Sequence, residues 1–279
     1  MADALIDVDG LSIAFPSRDG DRRVVEDVTF QLGTERLAIV GESGSGKSLT
    51  ARALMGLIPQ HGRVTAARMR LLGEDLLTQT ARGWSRLRGA RIGLVLQDPR
   101  FALNPLQTIG MQVEEALVLH RRMSRRERRD RVLAMLDAVG LPNGRELYDL
   151  YPGQLSGGMG QRVMIAAMLV SEPEVLIADE PTSALDEVLR TQILDLLARI
   201  ADERRMGLIL ISHDLQQVAH FADRALVMYR GRIVDEQPAA MLSQSTHPYT
   251  ATLWACRPSA STFGRRLPTL DRQALGDLK

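Results

Sequence analysis

Short aliphatic runs, each closed by a polar or glycine-rich turn, recur along this chain. Leu37-Ala38-Ile39-Val40, Arg91-Ile92-Gly93-Leu94-Val95-Leu96, Val175-Leu176-Ile177-Ala178 and Leu208-Ile209-Leu210-Ile211-Ser212 are apolar pieces of strand length. Continuous aliphatic strands read as buried on both faces, which implies a parallel sheet between layers of helix. Helical patterns fall between them. Leu49 to Met55 opens one helix, and Val163 to Val170 is apolar enough to be a buried one. Ser124-Arg125-Arg126-Glu127 is a capping box ahead of an apolar stripe at Val132, Leu133, Leu136 and Val139, which Gly140 closes. The N-terminal part differs. Leu11 to Phe15 and Val24 to Phe30 flank the polar turn Ser17-Arg18-Asp19-Gly20-Asp21, which predicts an antiparallel hairpin. After the strand at 91–96 comes Gln97-Asp98-Pro99, where proline is expected to stop regular structure.

Chemistry enters at the first of these strand ends. Gly41-Glu42-Ser43-Gly44-Ser45-Gly46-Lys47-Ser48 fits G-x-x-x-x-G-K-[ST] between a strand and a helix, the setting a phosphate-binding loop needs. Its glycines let the backbone approach an anion, and its N–H groups form a nest where the dipole of the helix opening at Leu49 favours negative charge. A chain of this length matches by chance about one time in a hundred. Lysine usage sharpens the reading. Lys and Arg total 35, yet the only lysines are Lys47 and Lys279. A chain that uses arginine almost everywhere keeps a compact ammonium where a phosphate wants a point charge. Lys47 is therefore assigned to the β/γ-phosphates, and the Ser48 hydroxyl to Mg²⁺.

Ligands of parallel sheets bind beyond the carboxyl ends of the strands. Gly41, Gln97, Asp179 and His213 each stand at or just after such an end, so they are expected to converge on one site. Asp179 suits a carboxylate holding Mg²⁺ together with Ser48, and Glu180 beside it suits polarisation of an attacking water. Gln97 can touch metal or water, and His213 can donate toward a γ-phosphate. Phe15 is either a base-stacking platform or ordinary cross-strand packing, and the residues leave both open. Leu155-Ser156-Gly157-Gly158-Met159-Gly160-Gln161 opens the second apolar helix and is another anion-binding helix start. One lysine loop and two such devices suggest a head-to-tail dimer, in which this helix end caps the nucleotide on the other subunit.

Composition removes other classes. A net charge of +1 supplies no field for nucleic acid or anionic lipid. The arginines from Arg121 to Arg131 alternate with Glu127 and Asp130 and hold no aromatic, so they read as a solvated helix face, and no nucleic-acid partner is expected. The single cysteine, Cys256, excludes an internal disulfide and fits a reducing cytosol. No apolar run approaches the roughly 18 residues of a membrane span, and the start Met1-Ala2-Asp3-Ala4 lacks a signal-peptide pattern.

Taken together, the Gly41–Ser48 loop, Gln97, Leu155–Gln161, Val175–Glu180, Ser183-Ala184-Leu185-Asp186 and His213 resemble the ATP-binding-cassette ATPases. The resemblance spans about residues 5 to 240, with the motifs in the family's order. It implies an α/β fold: a P-loop NTPase (RecA-like), mainly parallel sheet core with an N-terminal antiparallel β subdomain and an inserted helical subdomain. The expected layout is an ATPase domain over 1–240, with the helical part near 98–168, and a short extension over 241–279. It also implies that Phe15 stacks on adenine, that Gly41 through Leu49 and Gln97 bind ATP, and that Glu180 is the catalytic base with His213 beside it. Leu155, Ser156, Gly157, Gly158 and Gln161 serve the partner's nucleotide, Asp186 crosses the dimer interface, and Gln97 begins the loop that couples to membrane subunits.

A narrower resemblance lies in Asp98-Pro99, Ala102-Leu103-Asn104-Pro105 and Thr246-His247-Pro248-Tyr249-Thr250, which are similar to importers of oligopeptides, dipeptides and nickel. It implies two permease subunits, an ATPase partner that is a copy or a paralogue, a substrate-binding protein acting indirectly, and a peripheral place on the cytoplasmic face of the inner membrane. Gly160 departs from the family, which more often carries a larger, basic residue there. The tail from Cys256 to Lys279 is short and holds one cysteine, so no iron–sulfur cluster is expected and the metal-chelate importers are slightly favoured. The alternatives are an export ATPase, which the Asn104-Pro105 and His247-Pro248-Tyr249 segments disfavour, and a cassette acting on DNA or ribosomes. The DNA class needs long coiled-coil insertions and the ribosomal class two cassettes, and 279 residues with one phosphate loop hold neither. A cassette that binds ATP without hydrolysing it is opposed by Glu180 and His213.

Overall fold

The computed structural model describes residues 4–18, 20–183 and 185–257. Asp19 of the hairpin turn, Ala184 of the 183–186 segment and most of the 256–279 tail lie outside them. Two compact units emerge: one runs from the N-terminus to Leu77 and resumes at Leu210, and the other is Thr78–Ile209.

The first unit opens with β1 (Ile6–Ser17) and β2 (Gly20–Leu32), an antiparallel hairpin paired from Ile6↔Leu32 to Ser17↔Gly20. Ile6 and Val8, then Leu11 and Ile13, point into the core at the spacing of a strand. Between the two pairs the register slips at Gly10, whose φ of 67° accommodates the bulge. Then follow β3 (Arg36–Val40), α1 (Lys47–Leu54), β4 (Arg63–Thr65), β5 (Arg68–Leu71) and β6 (Glu74–Asp75). The antiparallel sheet runs β2-β1-β5-β6, with β4 also paired to β1. β4, β5 and β6 are short and mix polar with apolar residues, too little pattern to predict a strand, whereas the hairpin is legible.

The second unit carries α2 (Ala81–Leu87), β7 (Ile92–Val95), α3 (Pro99–Ala102), α4 (Ile109–His120), α5 (Arg125–Ala138) and α6 (Gly144–Leu147). It continues with α7 (Gly157–Leu169), β8 (Val175–Asp179) and α8 (Glu187–Arg204). β7 and β8 pair in parallel. Pro99 begins a helix rather than only ending structure. It stands at the first position of α3, where its missing N–H costs nothing, and the Asp98 side chain caps that turn. The capping box at Ser124 and Glu127 forms, and Gly140 closes the segment with a φ of 79°. α7 is apolar nearly all round and packs against α3, α4, α5 and β7.

Arg125, Arg126 and Arg129 of α5 are exposed, as a solvated face requires, but the neighbouring arginines are engaged. Arg121 donates to the Ser171 carbonyl at 2.7 Å and Arg131 to Val170 at 3.2 Å, while Arg204 donates to Leu169 at 3.1 Å. Three guanidinium groups thus satisfy the carbonyls at and just beyond the C-terminal end of α7, where the helix dipole is negative.

β9 (Gly207–Ser212) carries the chain back to the first unit, which finishes with α9 (Leu215–Phe221), β10 (Arg224–Tyr229), β11 (Arg232–Pro238) and α10 (Pro248–Ala255). β10 lies parallel to β3 and antiparallel to β11. Arg36 clamps Asp223 at the start of this ladder, its backbone N–H and its guanidinium both at 2.8 Å from the carboxylate. Among the described residues no helix is long and apolar enough to cross a membrane.

Candidate functional site

Within the first unit, β3 delivers the chain into the Gly41–Ser48 turn and α1 leaves it. Gly41 has a φ of 147°, and a Cβ there would stand 2.2 Å from the Met228 carbonyl oxygen of β10, so no side chain fits. Gly46, with a φ of 105°, is the left-handed residue just before α1, packed against the Val24 carbonyl. Ser45 donates its N–H to the Glu42 carbonyl at 3.2 Å and accepts from the Gly231 N–H at 3.0 Å, which ties the loop to the β10–β11 turn. Lys47 is 6% exposed, and its ammonium donates to the carbonyls of Gly41 and Glu42, each at 2.8 Å. The loop's own carbonyls thus hold a buried cation at the mouth of a helix. Ser43 and Gly44 are exposed at the tip, and Ser48 and Leu49 are half-buried in the first turn of α1. No side chain caps α1 and no acid stands in its first turn, so its positive end is open to an outside anion.

Two other assigned residues belong to this unit. Phe15 on β1 is half-buried, its ring lying against Gly62, where a Cβ would approach it to 2.8 Å. His213 is exposed directly after β9. The next residue, Asp214, accepts from the Gln217 N–H at 3.0 Å and caps α9, so a helix start fixes the backbone beside the histidine.

The second unit carries the carboxylates. Asp179 closes β8 at 9% exposure, and Glu180 follows with a φ of 49°. A left-handed glutamate costs on the order of 1–3 kcal/mol, and such strain collects where a side chain must be aimed. The Glu180 carbonyl accepts from both the N–H and the hydroxyl of Ser183, each at 3.2 Å, and this turn holds the strained residue. Gln97 is exposed after β7. Next to it, a fork from Arg100 holds the Asp98 carboxyl below its ordinary range.

Ser156 is the N-cap of α7, its hydroxyl accepting from the Met159 N–H at 3.3 Å. Ser156 and Gly157 face solvent, Leu155 and Gly158 are half-buried, and no acid occupies the first turn. Gln161 behaves differently from the rest of the segment. It is 1% exposed, and its amide donates to the Pro181 carbonyl at 2.6 Å, tying α7 to the turn after Glu180. Gly160, the family departure, is buried, and a Cβ there would stand in ordinary contact with Pro99 of α3 at 3.5 Å. Asp186 is exposed and caps α8 through the Leu189 N–H at 2.9 Å. A cavity of about 520 Å³ opens between the Asp98–Leu103 stretch and the Pro152–Gln161 stretch.

The supports of the loop were not legible beforehand. Met228, Gly231 and Tyr249 reach it through main-chain atoms or across 200 residues of sequence. Tyr249 alone falls in a segment the sequence singles out, Thr246–Thr250, which there resembles importers and does not mark the site.

The chain is similar to known proteins. The family model described as "ABC transporter" matches residues 25–183. The chain is 44% identical to the dipeptide transport ATP-binding protein DppD of Haemophilus influenzae, over 96% of this chain and 82% of that one. It is 42% identical to the oligopeptide transport ATP-binding protein OppD of Escherichia coli, over 96% and 80%. A dimeric structure of the ATP-binding cassette MJ0796 in a post-hydrolysis state with ADP and Pi superposes with a TM-score of 0.75 at 27% identity, covering 84% of this chain and 98% of that one. A buried lysine loop, a strained glutamate after an aspartate-terminated strand and a serine-capped glycine helix thus occur in a chain that aligns with these proteins along nearly its whole length, and it belongs to the ABC transporter family as one of its ATPases.

Proposed function

We propose that this ATPase drives uptake of peptides, or of nickel and other metal chelates, through separate membrane subunits at the cytoplasmic face of the inner membrane. The observation that carries the catalytic part is the buried Lys47 ammonium, which donates to the Gly41 and Glu42 carbonyls of the glycine loop at the start of α1. Gly41 to Leu49 bind the phosphates and Phe15 stacks on the base. Glu180 takes the proton of the attacking water, with His213 donating to the γ-phosphate. Ser48, Gln97 and Asp179 supply hydroxyl, amide and carboxylate oxygens, a hard donor set that fits Mg²⁺. The ion would neutralise charge on the phosphates. Gln161 positions the turn after Glu180, while Leu155, Ser156, Gly157 and Gly158 meet the nucleotide of a second cassette and Asp186 meets that cassette's surface. Names of relatives support the cargo class, since the similar proteins are called dipeptide and oligopeptide transport subunits. The membrane partners are assigned to the stretch after Gln97, because Phe101 is 87% and Leu106 84% exposed there. The reading keeps an ATPase domain over 1–240 with a helical part near 98–168, an extension over 241–279, and no iron–sulfur cluster.

Glu180→Gln tests this. Hydrolysis should fall by at least ~10²–10⁴-fold while ATP still binds, because the substitution is isosteric and removes only the base. The variant, purified with its partner ATPase, should size as a dimer in ATP and separate in ADP. One monomer peak under both conditions would refute the shared site, and retained hydrolysis would remove Glu180 from its role.

A further inference from the structure

We propose that Tyr249, in the C-terminal helix α10, is a positioning residue for the nucleotide loop, acting through a single peptide group. The inference rests on the reading of Gly41–Ser48 as that loop. The Tyr249 hydroxyl accepts a hydrogen bond from the Glu42 backbone N–H at 3.2 Å. That N–H and the Gly41 carbonyl are two ends of one planar peptide, and the carbonyl end accepts from the Lys47 ammonium at 2.8 Å. Turning this peptide would therefore break both bonds. When a triphosphate draws the ammonium toward itself, the carbonyl end is released and the Tyr249 hydroxyl still holds the other.

Tyr249 is built to stay in place. It is fully buried, with its ring centroid 4.5 Å from that of Tyr229 on β10. The next residue, Thr250, is also fully buried and donates its hydroxyl to Asp235 of β11 at 2.6 Å. Asp235 further accepts from Ser245 at 2.7 Å and Gln237 at 3.1 Å, and the Ser245 hydroxyl accepts from the His247 N–H at 3.1 Å. One carboxylate thus fastens the start of α10 to the sheet from several directions. The Thr246–Thr250 segment becomes a brace that, through Tyr249, reaches a peptide 207 residues earlier.

A loop held in its binding geometry loses less freedom when the phosphate arrives, so the hydroxyl should appear in affinity and not in the chemical step. Tyr249→Phe keeps the ring in the core and removes the hydroxyl to which the Glu42 N–H donates. The Tyr229 hydroxyl, buried with no hydrogen-bond partner among the described residues, supplies the control, since Tyr229→Phe deletes the same group one ring away. The assay is calorimetry of ATP and ADP, with steady-state kinetics, on the full chain purified with its partner ATPase. Tyr249→Phe should raise both dissociation constants and the KM about two- to tenfold with kcat little changed, and Tyr229→Phe should match wild type. In protein labelled with ¹⁵N-glutamate, the Glu42 amide should also shift and exchange faster in Tyr249→Phe alone. Wild-type affinity in Tyr249→Phe, or equal losses in both variants, overturns the proposal. Lys47→Ala separates this from the underlying reading: if it still binds ATP as wild type does, the loop assignment itself is wrong.

Discussion

Replacing Gly41 with alanine measures how closely the nucleotide loop is fitted to its sheet. Two costs add. A φ of 147° lies where L-residues rarely go, which costs on the order of 1–3 kcal/mol. The new methyl would stand 2.2 Å from the Met228 carbonyl oxygen and 2.9 Å from the Ser45 hydroxyl. The hydroxyl can rotate away, but the carbonyl cannot, because β10 is paired to β3 through Val227↔Val40 on one side and to β11 through Met228↔Ile233 on the other. Forcing that contact adds about 1–3 kcal/mol of overpacking. The sum, about 2–6 kcal/mol, is a large part of the roughly 5–15 kcal/mol that holds a protein together. Gly44→Ala is the matched comparison: its φ is 79°, and nothing lies within 4 Å of the added Cβ. It should lose only the conformational part, about 1–2 kcal/mol. The assay is urea unfolding without nucleotide, followed by ATP calorimetry on whatever remains folded. If Gly41→Ala is no less stable than Gly44→Ala, the steric reasoning is wrong.

Two further outcomes concern the helical part of the second unit. Gly110→Ala in α4 would normally gain about 1 kcal/mol of helix propensity, but here the Cβ meets the Tyr148 ring at 2.4 Å, and that ring is pinned by its hydroxyl's 2.7 Å bond to Glu114. A lower melting temperature is expected, and a rise would show that the ring can retreat. Glu114 itself predicts a pH dependence. Burial pushes its carboxyl up, but hydrogen bonds from Arg128 and Tyr148 outweigh that and hold it below the ordinary 4.5, while burial and Glu114 push the Tyr148 hydroxyl up to about 12. A depressed folded value contributes stability above pH ~4.5 and loses it as pH falls through the folded value. The stability difference between wild type and Glu114→Gln, read from urea unfolding, should therefore be full near pH 7 and shrink below pH ~4.5, and a difference constant across that range would refute it.

Several features of this protein are local and were readable from the chain alone. A phosphate loop needs particular residue types in consecutive positions, so Gly41 to Ser48 announces itself, and so does the cap of α5 at Ser124 and Glu127. The aliphatic runs that became β3, β7, β8 and β9 had to be buried on both faces, and the residues at their ends could be selected for chemistry on that ground. Tertiary structure decided what depends on distant partners. Arg121 and Arg131 look like solvated charges in sequence, yet they close the end of α7, whose orphan carbonyls arrive from 39 or more residues away. Gln161 closes a motif that reads as nucleotide-facing, but its amide is buried against Pro181 and ties α7 to the turn behind Glu180. Pro99 was expected to break structure and instead starts α3, since the Asp98 side chain and not a backbone N–H makes that start. Tyr249 carries no local sign of its contact, because a hydrogen bond to a main-chain N–H leaves no constraint on the identity of its partner, Glu42. Sequence records the groups that side-chain chemistry requires. Bonds to the backbone of distant residues, whose atoms are the same in every residue, become visible only when the chain has folded.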